Sequence, residues 1–215
     1  MEKDKKIKEL LELYKKKKKL IKERLNEFEA MGKKDDEEIY AELCFCILTP
    51  QSKPEHCDFI IKTLSKKGLL HTGSELSIQP YLKKARFFRN KSSYLVGARK
   101  LFVKEKKASI KNRINRKNTN ATRDWLVENV KGMSFKEASH FLRNIGLGSN
   151  VAILDIHVMR SLRDLGVIKE IPKSLSRKRY LEIEKKMKGF AKKINVPMDH
   201  LDLLFWSDRA QRIFK

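Results

Sequence analysis

Lys131–His157, KGMSFKEASHFLRNIGLGSNVAILDIH, decides how the rest of the chain is read. A turn containing Gly132 comes first. Ser134 and Glu137 then stand three apart, the spacing of a capping box, in which a serine takes the N-cap and a glutamate reaches back to it. This predicts a helix from Phe135 and puts Lys136 in its first turn, beside the positive end of the helix dipole, where an ammonium is disfavoured. Phe135, Ala138, Leu142 and Ile145 recur at three- and four-residue spacing, which leaves Lys136, Ser139, His140 and Arg143 on the other face. Lys136 is expected to point away from the core. The N–H groups of Gly132–Phe135, at a turn before a helix, form a ready anion site. A second turn follows. Ile153-Leu154 then reads as a buried run, with Asp155 as the N-cap of the next helix and His157 in its first turn. On these residues alone Lys136 also fits a solvated lysine after a tight turn; what weighs against that is the aspartate at the second helix start.

The order turn, lysine, helix, turn, aspartate, x-histidine resembles the helix-hairpin-helix DNA glycosylases. KEASHFLRNIG (Lys136–Gly146) followed by DIH is similar, more narrowly, to the 8-oxoguanine DNA glycosylase/AP lyases of archaea and thermophilic bacteria. ILTPQS (Ile47–Ser52), RFFRNK (Arg86–Lys91), LDLLFWS (Leu201–Ser207) and the terminal Phe214-Lys215 extend the likeness over most of the chain. Where such hairpins carry a second glycine, this chain has Ser134, which the capping box explains.

The resemblance implies an all-α, two-lobed helix-hairpin-helix DNA glycosylase fold with a DNA-binding cleft between the lobes. Residues 36–148 would form a helical bundle carrying the hairpin. Residues 149–215 would form a C-terminal lobe with the base-recognition end, and residues 1–35 an N-terminal helix packed on that lobe. Lys136 would be the nucleophile at the sugar's C1′, and Asp155 the carboxylate that stabilises charge on the deoxyribose. Gln51 would fill the gap left by an extruded nucleotide. Arg86 and Phe87 would contact the unpaired strand or the lesion, Gly132, Ser134 and His157 the DNA backbone, and Trp206 and Lys215 the damaged base. No cofactor or metal is implied. The four-cysteine cluster of endonuclease III relatives is absent, so no iron–sulfur centre is expected.

Several of these residues have plainer readings. Gln51 alone is a surface-loop glutamine, Trp206 a core residue and Lys215 a frayed end. Arg86-Phe87-Phe88-Arg89 suits base stacking and phosphate contact, and equally a helix start with core phenylalanines. His157 fits a helix-face residue, and His140 a structural one.

The composition agrees with a polyanionic partner. The 215 residues carry a formal net charge of +23, and phosphate neutralisation supplies most sequence-independent affinity for nucleic acid. No long apolar run suggests a membrane span and no signal-peptide pattern opens the chain, so a cytoplasmic, soluble protein is expected; the resemblance implies, beyond that, a nucleoid-associated monomer acting on duplex DNA with an oxidised purine. Three cysteines, Cys44, Cys46 and Cys57, fit reduced core thiols.

Along the chain the pattern is helical throughout, with no strand-like alternation. Helices are predicted over 2–30, 36–48, 54–68, 92–106, 122–130, 155–165, 174–194 and 198–207, and 107–120 is expected to be a basic connector. Lys15–Lys19 reads as a solvated face. Ile156, Met159 and Leu162 are expected to face inward. Thr49-Pro50-Gln51-Ser52 should stop the second helix, since the residue before a proline avoids helical geometry.

The expected reaction is excision of 8-oxoguanine by lysine attack, followed by β-elimination. 8-Oxoguanine differs from guanine mainly by an N7 hydrogen and O8, and one unmatched donor in a dry pocket is worth about 1–3 kcal/mol. Two alternatives stand beside this: a glycosylase/lyase for another oxidised base, and a non-catalytic basic protein that uses the hairpin only to hold phosphate.

Overall fold

The computed structural model describes residues 2–210, with side chains through Ser207; Lys215 lies outside the described residues. Eleven α-helices occur among them. α1 (Glu2–Met31) is followed by α2 (Asp36–Leu48), α3 (Pro54–Lys66), α4 (Leu69–Thr72), α5 (Glu75–Leu82) and α6 (Phe88–Phe102). A minimal antiparallel hairpin comes next, β1 (Val103–Lys104) and β2 (Lys107–Ala108), pairing Val103 with Ala108. Then come α7 (Thr119–Asn129), α8 (Phe135–Asn144), α9 (Ile156–Asp164), α10 (Arg177–Lys193) and α11 (Met198–Ala210).

Two apolar cores organise these helices. The first gathers Ile39, Leu43 and Ile47 of α2, Ile60 and Leu64 of α3, Leu95 of α6, Leu126 of α7 and Phe141 and Leu142 of α8. Its three thiols, Cys44, Cys46 and Cys57, are free and buried. The second combines Tyr14, Ile21 and Phe28 of α1 with Met159 of α9, Tyr180 and Met187 of α10 and Leu204 of α11. The chain passes from one core to the other between Val151 and Ala152. α1 is about 45 Å long at 1.5 Å per residue. Its exposed face includes Lys15, Lys16, Lys18 and Lys19, the solvated face expected of that run, whereas Lys17 donates to the Ser207 carbonyl at 2.8 Å.

α8 belongs to both cores, as α1 does through Met31. Ala138, Phe141, Leu142 and Ile145 enter the first core, while Phe135 packs on the second. The polar face of α8 is therefore not turned to solvent: Ser139, His140 and Arg143 are buried. They lie along the seam, where buried polar groups need partners. Arg123 of α7 forks onto Glu184 of α10, with N···O distances of 2.6 and 2.9 Å, and also donates to the Ser139 hydroxyl. Tyr180 donates to the Ala152 carbonyl at 2.6 Å, and Arg143 pairs with Asp202 of α11 at 3.1 Å.

Some expectations need correction. α4 and α5 stand where no element was expected, and the β1–β2 hairpin replaces the last turn of the helix expected over 92–106 and the start of the connector expected over 107–120. α6 begins at Phe88, and α10 begins at Arg177 behind an N-cap serine, Ser176. Ile156 is 49% exposed; Val158, Met159 and Leu162 form the buried stripe of α9 instead. The first residue of a helix whose N-cap points at a cavity has no core to face.

Candidate active site

The capping box expected at Ser134 is present. Glu137 accepts from the Ser134 backbone N–H at 3.2 Å and from its hydroxyl. Ahead of it Gly132 has φ +91°, and a β-carbon there would drive into the Tyr94 ring, so the turn admits no side chain at this position. The turn and cap together fix the start of α8 and with it the root of Lys136. The lysine side chain is 26% exposed, and its Nζ lies 3.2 Å from Glu137 Oε1. Its ion-pair partner is thus the capping glutamate one residue on, not Asp155.

Asp155 is the N-cap of α9. One of its oxygens accepts from the Val158 N–H at 2.8 Å, and the other accepts from the Trp206 indole N–H, also at 2.8 Å. The indole in turn meets the His157 ring edge-on, with centroids 5.9 Å apart. Both carboxylate oxygens are thereby fixed, and the side chain cannot rotate freely. Trp206 has a use beyond filling space: it orients the carboxylate from a helix 51 positions further along the chain.

Lys136 and Asp155 line one cavity of about 390 Å³, together with Gln51, His140, Trp206 and Asp202. The structure therefore brings four of the expected residues together. Asp202 was not anticipated. It is only 4% exposed, and its second oxygen is buried without a hydrogen-bond partner. Burial raises its pKa to about 6, against the opposing pull of the Arg143 guanidinium. Only its place one helical turn before Trp206 hinted at a shared wall. His140 also sits in this wall, edge-on to Phe45.

Other expected residues lie elsewhere. Phe87 is 52% exposed and lines a separate depression with Tyr94, Gly132, Met133 and Ser134. The Arg86 guanidinium stacks on the Phe87 ring, 4.9 Å from its centroid. Between cavity and depression runs the Thr49–Ser52 loop. Gln51 at its tip has φ +53° and Phe87 has φ +58°, left-handed values that cost non-glycine residues energy. Among the described residues no group of three or more His, Cys, Asp or Glu is placed to hold a metal ion, and no helix is long and apolar enough to cross a membrane.

Two helical bodies, a glycine hairpin that seats a lysine, and an aspartate N-cap across a cavity from it define a helix-hairpin-helix DNA glycosylase fold. The chain belongs to the 8-oxoguanine DNA glycosylase family, whose model matches residues 21–196. It is 44% identical to an 8-oxoguanine DNA glycosylase/AP lyase of Fusobacterium nucleatum, over 100% of both chains. A relative of the same name from Methanocaldococcus jannaschii is 38% identical over 91% of this chain and 92% of its own. Among solved structures, the M. jannaschii 8-oxoguanine glycosylase/lyase in complex with a 15mer DNA containing 8-oxoguanine superposes with a TM-score of 0.86. It has 37% identity and covers 97% of this chain and 99% of that one.

Proposed function

We propose that this protein excises 8-oxoguanine from duplex DNA and cleaves the strand at the resulting site, with Lys136 as nucleophile and Asp155 as the electrostatic partner. The damaged nucleotide leaves the stack and enters the cavity, since its sugar carbon is unreachable inside the duplex. The Lys136 ammonium first gives up a proton to solvent, and the amine attacks C1′; the C1′–N9 bond breaks, and the base departs with the electron pair and gains a proton. Asp155, held by Trp206, stabilises positive charge on the deoxyribose as that bond lengthens. Nitrogen then expels O4′, which takes a proton, and a protonated imine forms at C1′. The imine acidifies C2′–H. Loss of that proton forms the C2′=C3′ bond and expels the 3′ phosphate. Water hydrolyses the imine and frees Lys136.

The observation that carries this reading is the shared cavity, to which α8 brings an amine and α9 a fixed carboxylate. The name and bound DNA of the M. jannaschii relative favour 8-oxoguanine over other lesions. The other assignments follow the same reading. The Gly132–Ser134 turn, Arg86, Phe87 and His157 contact DNA, Gln51 fills the vacated stack, and Trp206 and Lys215 recognise the base. The group of residues 36–148 would grip the duplex, while 1–35 and 149–215 would supply Asp155 and the base-recognition end. A monomer and a cytoplasmic place on the nucleoid belong to the same reading.

Borohydride trapping tests the nucleophile and the substrate at once. An 8-oxoguanine duplex should give a covalent adduct with the native chain, and none with Lys136→Gln. An adduct that persists in Lys136→Gln assigns the nucleophile elsewhere. Trapping by a thymine glycol duplex alone would move the substrate to an oxidised pyrimidine, and no adduct with any damaged duplex would leave a DNA-binding protein.

A further inference from the structure

Lys91 is the least expected charge in the first core. It is 3% exposed, yet it stands in the first turn of α6. Its ammonium is fully employed: it donates to the Leu48 carbonyl at 2.6 Å, the Pro50 carbonyl at 2.7 Å and the Ser52 hydroxyl oxygen at 2.9 Å. The two carbonyls belong to the C-terminal end of α2 and the loop after it, where helix geometry leaves acceptors without partners. Ser52 passes the contact on, because its hydroxyl oxygen also accepts the Arg86 N–H at 2.9 Å. One ammonium thus ties together the two loops that carry Gln51 and Phe87, both held in left-handed backbone conformations. Such strain persists only where surrounding contacts over-determine it.

We infer that Lys91 is a positioning residue for DNA extrusion: it latches the Thr49–Ser52 loop and, through Ser52, the Arg86–Phe87 turn, so that Gln51 is presented rigidly to the gap in the duplex. This rests on the proposed glycosylase reading. A stack with a missing nucleotide is refilled well only by a side chain already in place, because ordering a loop at that moment costs conformational entropy. A single strand has no gap to refill, and there the latch should not matter.

The test therefore compares substrates. Lys91→Met should slow excision from an 8-oxoguanine duplex about tenfold, the worth of one or two charge-assisted hydrogen bonds, and change cleavage of a single-stranded abasic oligonucleotide less than about twofold. Lys91→Met combined with Gln51→Ala should be no slower on the duplex than Gln51→Ala alone, since both act through one side chain. Equal losses on both substrates, or additive losses in the double variant, would reduce Lys91 to a structural residue. If Lys91→Met does not fold, Ser52→Ala carries the comparison. Amide exchange without DNA reads the latch independently of catalysis: Ser52→Ala should speed exchange at Arg86, and unchanged exchange overturns the latch. A native chain that traps no damaged duplex yet loses Arg86 protection in Ser52→Ala would overturn the glycosylase reading and leave the latch a feature of the fold.

Discussion

Asp202 is a carboxyl group that folding places beside Lys136, Asp155 and Arg143 with one oxygen unsatisfied. Its pKa rises from an ordinary 3.8 to about 6, chiefly through burial. Between those values the folded chain holds a proton that the unfolded chain has lost. The stability contributed by the protonated acid is therefore present at low pH and lost as pH rises through about 6. The substitution Asp202→Asn would mimic the neutral form at every pH. Melts of Asp202→Asn and the native chain should accordingly diverge in favour of the variant by about 2–3 kcal/mol between about pH 4 and pH 7. A constant difference across that range would mean that Asp202 is ionised throughout, held by Arg143 more firmly than burial opposes. Neither the burial of Asp202 nor its pairing was legible in the sequence, because its partner lies 59 positions away.

The start of α8 is the element on which chemistry and folding meet. Ser134→Ala removes the hydroxyl from the capping box and should cost about 1 kcal/mol of stability. It should also loosen Glu137, which otherwise pairs with Lys136. Thermal melts check the first effect; a melting temperature equal to that of the native chain would mean the box is redundant. This element was readable because its signals are local: a glycine turn, a serine and a glutamate three apart, a lysine between them. The same holds for the Asp155 cap and for the stop at Pro50. The miss at α5 has a local cause too, since Pro80 lies inside that helix and masks it. A helix start was one of two readings of Arg86–Arg89, and its place at Phe88 stayed open because Phe87, a left-handed non-glycine, carries no sequence mark of its conformation. The buried polar face of α8 is a different kind of miss. Periodicity says which residues are polar, and only the second core says that this face is covered.

At the scale of the molecule, polar contacts tie the seam between the cores, among them the buried Arg123–Glu184 ion pair. Glu184 also accepts the Ala152 N–H where the chain crosses between cores. Glu184→Gln would leave the Arg123 guanidinium without a counter-charge and should cost about 3–5 kcal/mol, read in denaturant unfolding. A loss below about 1 kcal/mol would mean that water or another carboxylate replaces the partner. The seam also explains why the two-lobed arrangement was accessible only through resemblance: each helix announces one apolar face, and nothing in a sequence says which faces share a core. The concealed sulfurs of the first core have a consequence for endurance. Their surroundings push Cys44 to about 12 and Cys57 to about 11, so near neutrality almost none of either is in the anionic form that attacks peroxides. A repair protein whose workload is created by oxidants would keep working while they are still being made.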